Sequence, residues 1–164
     1  MAVEFSDDIE AFIAAFSENW HASGQGRMEG RLLAYLLVVS ADKVSSAELA
    51  EAMGAGTGAI SMATRALVEQ GFIRRLRVPG DRSHYFAAAD DVWGGFLSAE
   101  RRWVHRMQSV LDNARQQMPL APGADRRVHV AAEYMNWLGG YNLKMLRDWH
   151  EHLASHVAPQ EDPS

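Results

Sequence analysis

The feature that most constrains this 164-residue chain is the spacing of its helix and turn signals between residues 45 and 86. Ser45-Ser46-Ala47-Glu48 has the spacing of a capping box. In that motif a serine hydroxyl accepts from the backbone N–H three residues on, and the glutamate reaches back to the serine N–H. The short helix it opens presents Leu49, Ala50 and Met53 and ends at Gly54, and Gly54-Ala55-Gly56 supplies permissive backbone for a tight connection. A second helix follows with Ile60, Ala63, Leu67 and Val68 on one side, stopping at Gly71. The β-prone runs 72–78 and 83–86 then flank Pro79-Gly80-Asp81-Arg82, which reads as a hairpin. Two helices joined by a short glycine-containing turn and followed at once by a hairpin predict a winged helix-turn-helix, mainly α with a small β component.

Charge is distributed to match. The formal net charge is −5, and residues 1–26 hold five acids and no Lys or Arg. Residues 72–86 carry Arg74, Arg75, Arg77 and Arg82 against Asp81 alone. A basic stripe on an acidic body suits a protein that meets phosphate on one face. The longest apolar run, 32–39, is too short to span a bilayer, so no membrane partner is expected. Acids precede any basic residue at the N-terminus, so no secretory signal is visible. With no cysteine, disulfides and thiolate chemistry are excluded, which suits a cytoplasmic protein.

The flanks read as helices. Ser6-Asp7-Asp8 is a helix start with a capping hydroxyl, and Ile9, Phe12, Ile13, Phe16 and Trp20 follow at helical spacing. Gly24 and Gly26 break this helix, and a second begins near Arg27 with Met28, Leu32, Tyr35, Leu36 and Val39 inward. Residues 91–118 predict one long helix whose positions 93, 97, 100, 104, 107, 111, 114 and 118 form a seam suited to helix–helix packing, with Glu100 its one charge. Pro119 to Gly123 forces a break, and a last helix runs from about Arg126 with Val128, Ala131, Met135, Leu138, Met145 and Trp149 along a stripe. The resulting division is 1–43 N-terminal helices for dimerisation and packing, 44–90 winged helix, 91–158 C-terminal dimerisation helices, and 159–164 a disordered tail.

Several of these segments together resemble the MarR superfamily, specifically its GbsR-like branch. They are Gly30-Arg31-Leu32-Leu33, the run 45–54, Gly58-Ala59-Ile60-Ser61, Leu67-Val68-Glu69-Gln70-Gly71-Phe72-Ile73, and the wing 77–85. The resemblance covers residues 26–85. It implies a homodimer built by terminal helices, a recognition helix in the major groove, a wing at the minor groove, and control by a small molecule. Gly56 and Thr57 depart from the pattern, which often has a capping serine and a basic residue there.

On this reading the recognition helix offers Thr57, Gly58, Ser61, Met62, Thr64 and Arg65 to double-stranded DNA. Small side chains at its start let backbone amides and hydroxyls reach phosphates. Arg65 reaches a guanine edge or a phosphate, against the alternative of an arginine on a solvated face; Met62 touches a thymine methyl or covers the helix junction. In the wing, Arg82 enters the minor groove, where a narrow groove concentrates negative potential. The Asp81-Arg82 pair matches the family's wing tip; the bland alternative is a surface salt bridge. Arg74, Arg75 and Arg77 contact phosphates or stay solvated, and alternation along a strand prevents all three from facing DNA. Ser83 and His84 join the wing's contacts.

Trp20, Met28, Tyr35, Trp103, Trp137 and Tyr141 are candidates to line an effector cavity, against the commoner role of aromatics as core. The GbsR-like branch includes choline-responsive regulators, and an aromatic cage suits a quaternary ammonium. His152 and His156 share a helix face beside His150 and Glu151, but nothing supplies further ligands, so no metal and no cofactor is expected. No nucleophile elbow or phosphate-binding glycine motif is present, so no enzyme is expected. The expectation is a DNA-binding regulator, an effector-responsive repressor acting as a homodimer on a pseudo-palindromic operator. The alternatives are an adaptor that kept the winged helix without DNA binding, or a small ligand- or metal-binding helical protein. The wing arginines favour the first.

Overall fold

The computed structural model describes residues 6–157, so the expected tail 159–164 lies outside the described residues. The chain forms two compact units, Met1–Gly95 and Phe96–Ser164. In chain order the elements are α1 (Asp7–Ala22), α2 (Arg27–Val38), β1 (Val44–Ser45), α3 (Ser46–Met53), α4 (Thr57–Glu69), β2 (Ile73–Leu76), β3 (Tyr85–Ala88), α5 (Val92–Gln117) and α6 (Pro122–His156). Mainly helical with a three-stranded antiparallel sheet in the order β1-β3-β2, this is the expected fold class.

In the first unit α2 is the central helix. Its pattern predicts one inward face, yet Gly30, Leu32, Leu33, Ala34, Tyr35 and Leu36 are all buried, because α1, α3, α4 and β3 pack around it. Desolvation, and secondarily the negative charge of Glu48, raises the Tyr35 phenol above its ordinary value. α1 approaches α2 closely at Gly30, where a Cβ would stand 2.8 Å from Trp20 Cβ and 3.0 Å from Ser17 Cα. The Ser17 hydroxyl is buried and donates to the Arg27 carbonyl at 2.9 Å. Ser6 occupies the α1 N-cap position, but its hydroxyl makes no cap bond; Asp7, Asp8 and Glu10 in the first turn complement the helix dipole instead.

The capping box of α3 forms as its spacing predicts: Ser45 Oγ accepts from Glu48 N at 3.2 Å, and Ser45 N donates to Glu48 Oε2 at 2.7 Å. Gly54 closes α3 in the left-handed region, φ 59°. β1, which the sequence pattern did not predict, pairs Val44 with Phe86 and Ser45 with Tyr85. Against the predicted 72–78 and 83–86, the first hairpin strand is shorter and the second is shifted two residues along the chain. Their register is Ile73↔Ala88, Arg74↔Ala87, Arg75↔Phe86 and Leu76↔Tyr85, which leaves 77–84 as the connecting loop.

The second unit contains most of α5 and all of α6. Their antiparallel pairing is fixed by Val104, almost wholly buried, against Gly139, and by Gln108 Nε2 donating to Asn136 Oδ1 at 3.3 Å. α6 starts at Pro122, not near Arg126. Proline at the first helical position loses no hydrogen bond, so the residue read as a breaker begins the helix. No helix is long and apolar enough to cross a membrane among the described residues.

Candidate nucleic-acid interface

α4 begins differently from α3. Its N-cap is Gly56, with no side-chain cap bond and no acid in the first turn. The first amides of a helix have no intrahelical partner, and together with the positive end of the dipole they attract anions. Thr57, Gly58, Ser61, Met62 and Arg65 are all exposed, Met62 most of all at 73%. Thr64 is a correction to the predicted outward face. It shares the i, i+4, i+7 side of α4 with Ile60 and Leu67, is buried, and its Oγ1 donates to the Ile60 carbonyl at 2.8 Å. That bond satisfies the donor of a hydroxyl placed among core side chains.

The wing loop is held by one carboxylate. Asp81 N donates to the Val78 carbonyl at 3.1 Å, closing a turn in which Pro79 is followed by Gly80 at φ 82°. Proline then a left-handed glycine is what a type II turn requires. Asp81 Oδ1 accepts from Ser83 N, and Oδ2 from the Tyr85 hydroxyl, each at 2.7 Å. The Ser83 backbone N–H is the largest cause, and the Tyr85 hydroxyl the next, of an Asp81 carboxyl lowered to about 2. The same bond raises the Tyr85 phenol. Arg82 therefore sits between two tethered residues with its own side chain exposed. The bland alternative of a salt bridge between Asp81 and Arg82 does not form; the carboxylate's partners are Ser83 and Tyr85. Asp two residues before Ser is a recognised signal for an Asx turn and would have pointed to this arrangement.

His84 links the wing to the helices. Its carbonyl accepts from Ser46 N at 2.9 Å, and Arg75 Nη2 lies 2.8 Å from both its ring nitrogens. Arg75 is opposite Phe86 and Arg74 opposite Ala87, so the two arginines project from opposite faces of the sheet. A groove of about 630 Å³ between α4 and the strands brings Thr57, Ser61 and Arg65 together with Arg75 and His84, and Glu69 is its acid. Met62, Arg74, Arg77, Arg82 and Ser83 are outside that groove, all of them exposed.

The six candidate effector residues do not form one wall within either unit. Trp20 is packed edge-on against Phe72 with ring centroids 4.9 Å apart, Tyr35 is core, and Met28 is half-buried. Trp137 stacks on Tyr141 at 5.6 Å in the open, and Trp103 is exposed. His152 and His156 stack at 4.1 Å, but His156 Nδ1 is 2.9 Å from the His152 carbonyl. No group of three or more metal-ligating side chains occurs among the described residues.

Residues 23–82 match the model of the MarR family. The HTH-type transcriptional regulator MmpR5 of Mycobacterium tuberculosis is 37% identical over 107 residues, 65% of this chain and 63% of that protein. The matched region thus spans a little under two thirds of that relative. A crystal structure described as that of a transcriptional regulator aligns with a TM-score of 0.76 at 29% identity, covering 88% of this chain and 99% of that one.

Proposed function

We propose that this chain, whose residues 23–82 match the MarR family, is a sequence-specific regulator that binds double-stranded DNA as a homodimer. In this reading it acts as an effector-responsive repressor in the cytoplasm. The observation that carries the proposal is the arrangement of α4 and the wing in one unit. An uncapped helix start with small exposed side chains leads to Arg65, and a tethered loop presents Arg82. The helix start fits phosphate, Arg65 fits a base edge or phosphate in the major groove, and Arg82 fits the minor groove. An adaptor without DNA binding would not account for exposed arginines at 65, 74, 75, 77 and 82 around an uncapped helix start.

The test is a salt titration of DNA affinity for the wild type, Arg82→Ala and Arg65→Ala, on an operator selected from random duplexes and on a scrambled duplex. Arg82→Ala should cost roughly 1–3 kcal/mol, mainly on sites with A·T-rich flanks. Arg65→Ala should relax discrimination at one or two positions per half-site if the side chain reads a base. If it touches phosphate, all sequences should weaken alike and the salt slope should fall by about one unit per contact. Unchanged operator affinity in both folded variants would remove the DNA-binding face and leave the adaptor reading.

A further inference from the structure

We propose that the cleft between α5 and α6 in the second unit is a binding site for a small oxyanion, a carboxylate or phosphate group carried by a small molecule. The site goes beyond the DNA-binding reading and does not rest on it.

The cleft is a cavity of about 330 Å³ lined only by residues of α5 and α6, within the size range of roughly 300–1,000 Å³ that small-molecule sites occupy. Two consecutive glycines make the room. At Gly139 a Cβ would be 3.7 Å from Val104 Cγ1, an ordinary contact, and at Gly140 it would meet nothing within 4 Å. Neither glycine has a positive φ. Glycine inside a helix is unfavourable relative to alanine, and at these two positions neither crowding nor backbone geometry demands it. What the pair does is leave the α6 wall of the cleft, beyond the Asn136 side chain, open to a ligand.

The opposite wall is cationic. Arg101 and Arg102 both line the cavity, and no carboxylate does. The ion pairs among the described residues are Arg27–Glu18 and Lys144–Asp148, so both guanidiniums here lack an acidic partner. His105 stands one turn after Arg101 and adds a ring nitrogen. At the far end Gln108 donates to Asn136 Oδ1, which fixes the Asn136 amide and leaves its own N–H groups unspent. Donors on both walls with no carboxylate among the lining residues are the complement of an oxyanion. Paired guanidiniums bind such groups with planar, bidentate geometry.

Calorimetric titration of the full chain at low ionic strength, with succinate and separately with inorganic phosphate, tests the site. Saturable binding of either probe is expected with a Kd of about 1 mM or tighter, and the stronger probe tells whether the head group is carboxylate or phosphate. The double variant Arg101→Gln with Arg102→Gln should weaken binding at least about ten-fold, the loss expected when charge-assisted bonds are removed. Gly140→Leu should fill the cleft and abolish binding while keeping helix content, because its Cβ enters open space. Arg115→Gln, on the same helix but outside the cavity, should change nothing. Absence of saturable binding by both probes would overturn the proposal. So would unaltered binding by Gly140→Leu, or a loss in Arg115→Gln equal to that of the double variant.

Discussion

Asp81 lies next to Arg82 in sequence, and adjacency suggests an ion pair, yet the carboxylate is taken up by Ser83 and Tyr85. The difference matters for the wing, because an arginine paired with its neighbour would have to break that contact before entering a groove. Tethered on either side, Arg82 has no such contact to give up. The tether also has a defined pH dependence. The Asp81 carboxyl is lowered from 3.8 to about 2, so the folded wing favours its ionised form. Its contribution is full above about 3.8 and is lost as pH falls toward about 2. Tyr85 is shifted upward, so its share is intact below its ordinary value and lost only as pH rises through the raised one. A carbon-detected NMR titration of the Asp81 carboxyl should show a midpoint near 2, and Tyr85→Phe should raise it toward 3.8 without unfolding the domain. A wild-type midpoint near 3.8 would show that the tether does not form. Thr64 gives the same lesson in reverse. A polar residue on an amphipathic helix was assigned outward by type, while its position beside Ile60 and Leu67 put it in the core.

Among the elements, those marked by local chemistry were legible and those made by tertiary contact were not. The α3 capping box, the Gly54 stop and the extents of α1 and α5 follow from short-range signals. β1 has only two residues and exists because β3 lies alongside it, so no period announces it. The hairpin was placed correctly, but β2 ends at Leu76 and β3 begins only at Tyr85, because the Asp81 network ties Ser83 into the loop and anchors it on the first residue of β3. Gly30 was read only as part of a family motif, whereas its physical role is the closest approach of α1 to α2. Gly30→Ala should therefore destabilise the fold by roughly 1–3 kcal/mol through overpacking, since one of its near neighbours is backbone and can yield only if α1 moves. Gly58→Ala is the contrasting substitution. Its Cβ would meet nothing within 4 Å and its φ is not positive, so better helix propensity should stabilise by about 0.5–1 kcal/mol. Denaturant unfolding of both variants would decide it; equal effects would mean that the α1–α2 contact is looser than its geometry.

For the whole molecule, the question is which apolar surface a second copy would cover. The α5 seam, predicted as the packing stripe, is spent in part within the second unit, where Val104 is almost wholly buried. On α6 the reverse holds. Val130, Tyr134, Trp137 and Tyr141 follow at steps of four, three and four, each more than half exposed. The aromatic rings stand 5.9 and 5.6 Å apart. Trp137 and Tyr141 are each two residues from Gly139, which faces Val104, so by helical geometry the ladder points away from α5. Large aromatics bury about 150–250 Å² each, so this stripe offers on the order of 400 Å² per copy. Isologous pairing doubles that to about 800 Å², short of the roughly 1,200 Å² of a stable interface. A lasting dimer therefore needs the exposed Trp103 and Val110 of α5, and Met118 just after it, as well. Light scattering at micromolar concentration should give about twice the chain mass of 18.2 kDa. Trp137→Lys, which would set two like charges near a two-fold axis, should shift the population toward monomer while preserving helix content. In the same variant, operator affinity should fall more than affinity for a single half-site, because only the paired copies span half-sites one DNA turn apart. A mass of 18.2 kDa for the wild type would exclude the symmetric DNA complex. A persistent dimer in Trp137→Lys would move the interface off the ladder, leaving that face of α6 for another partner.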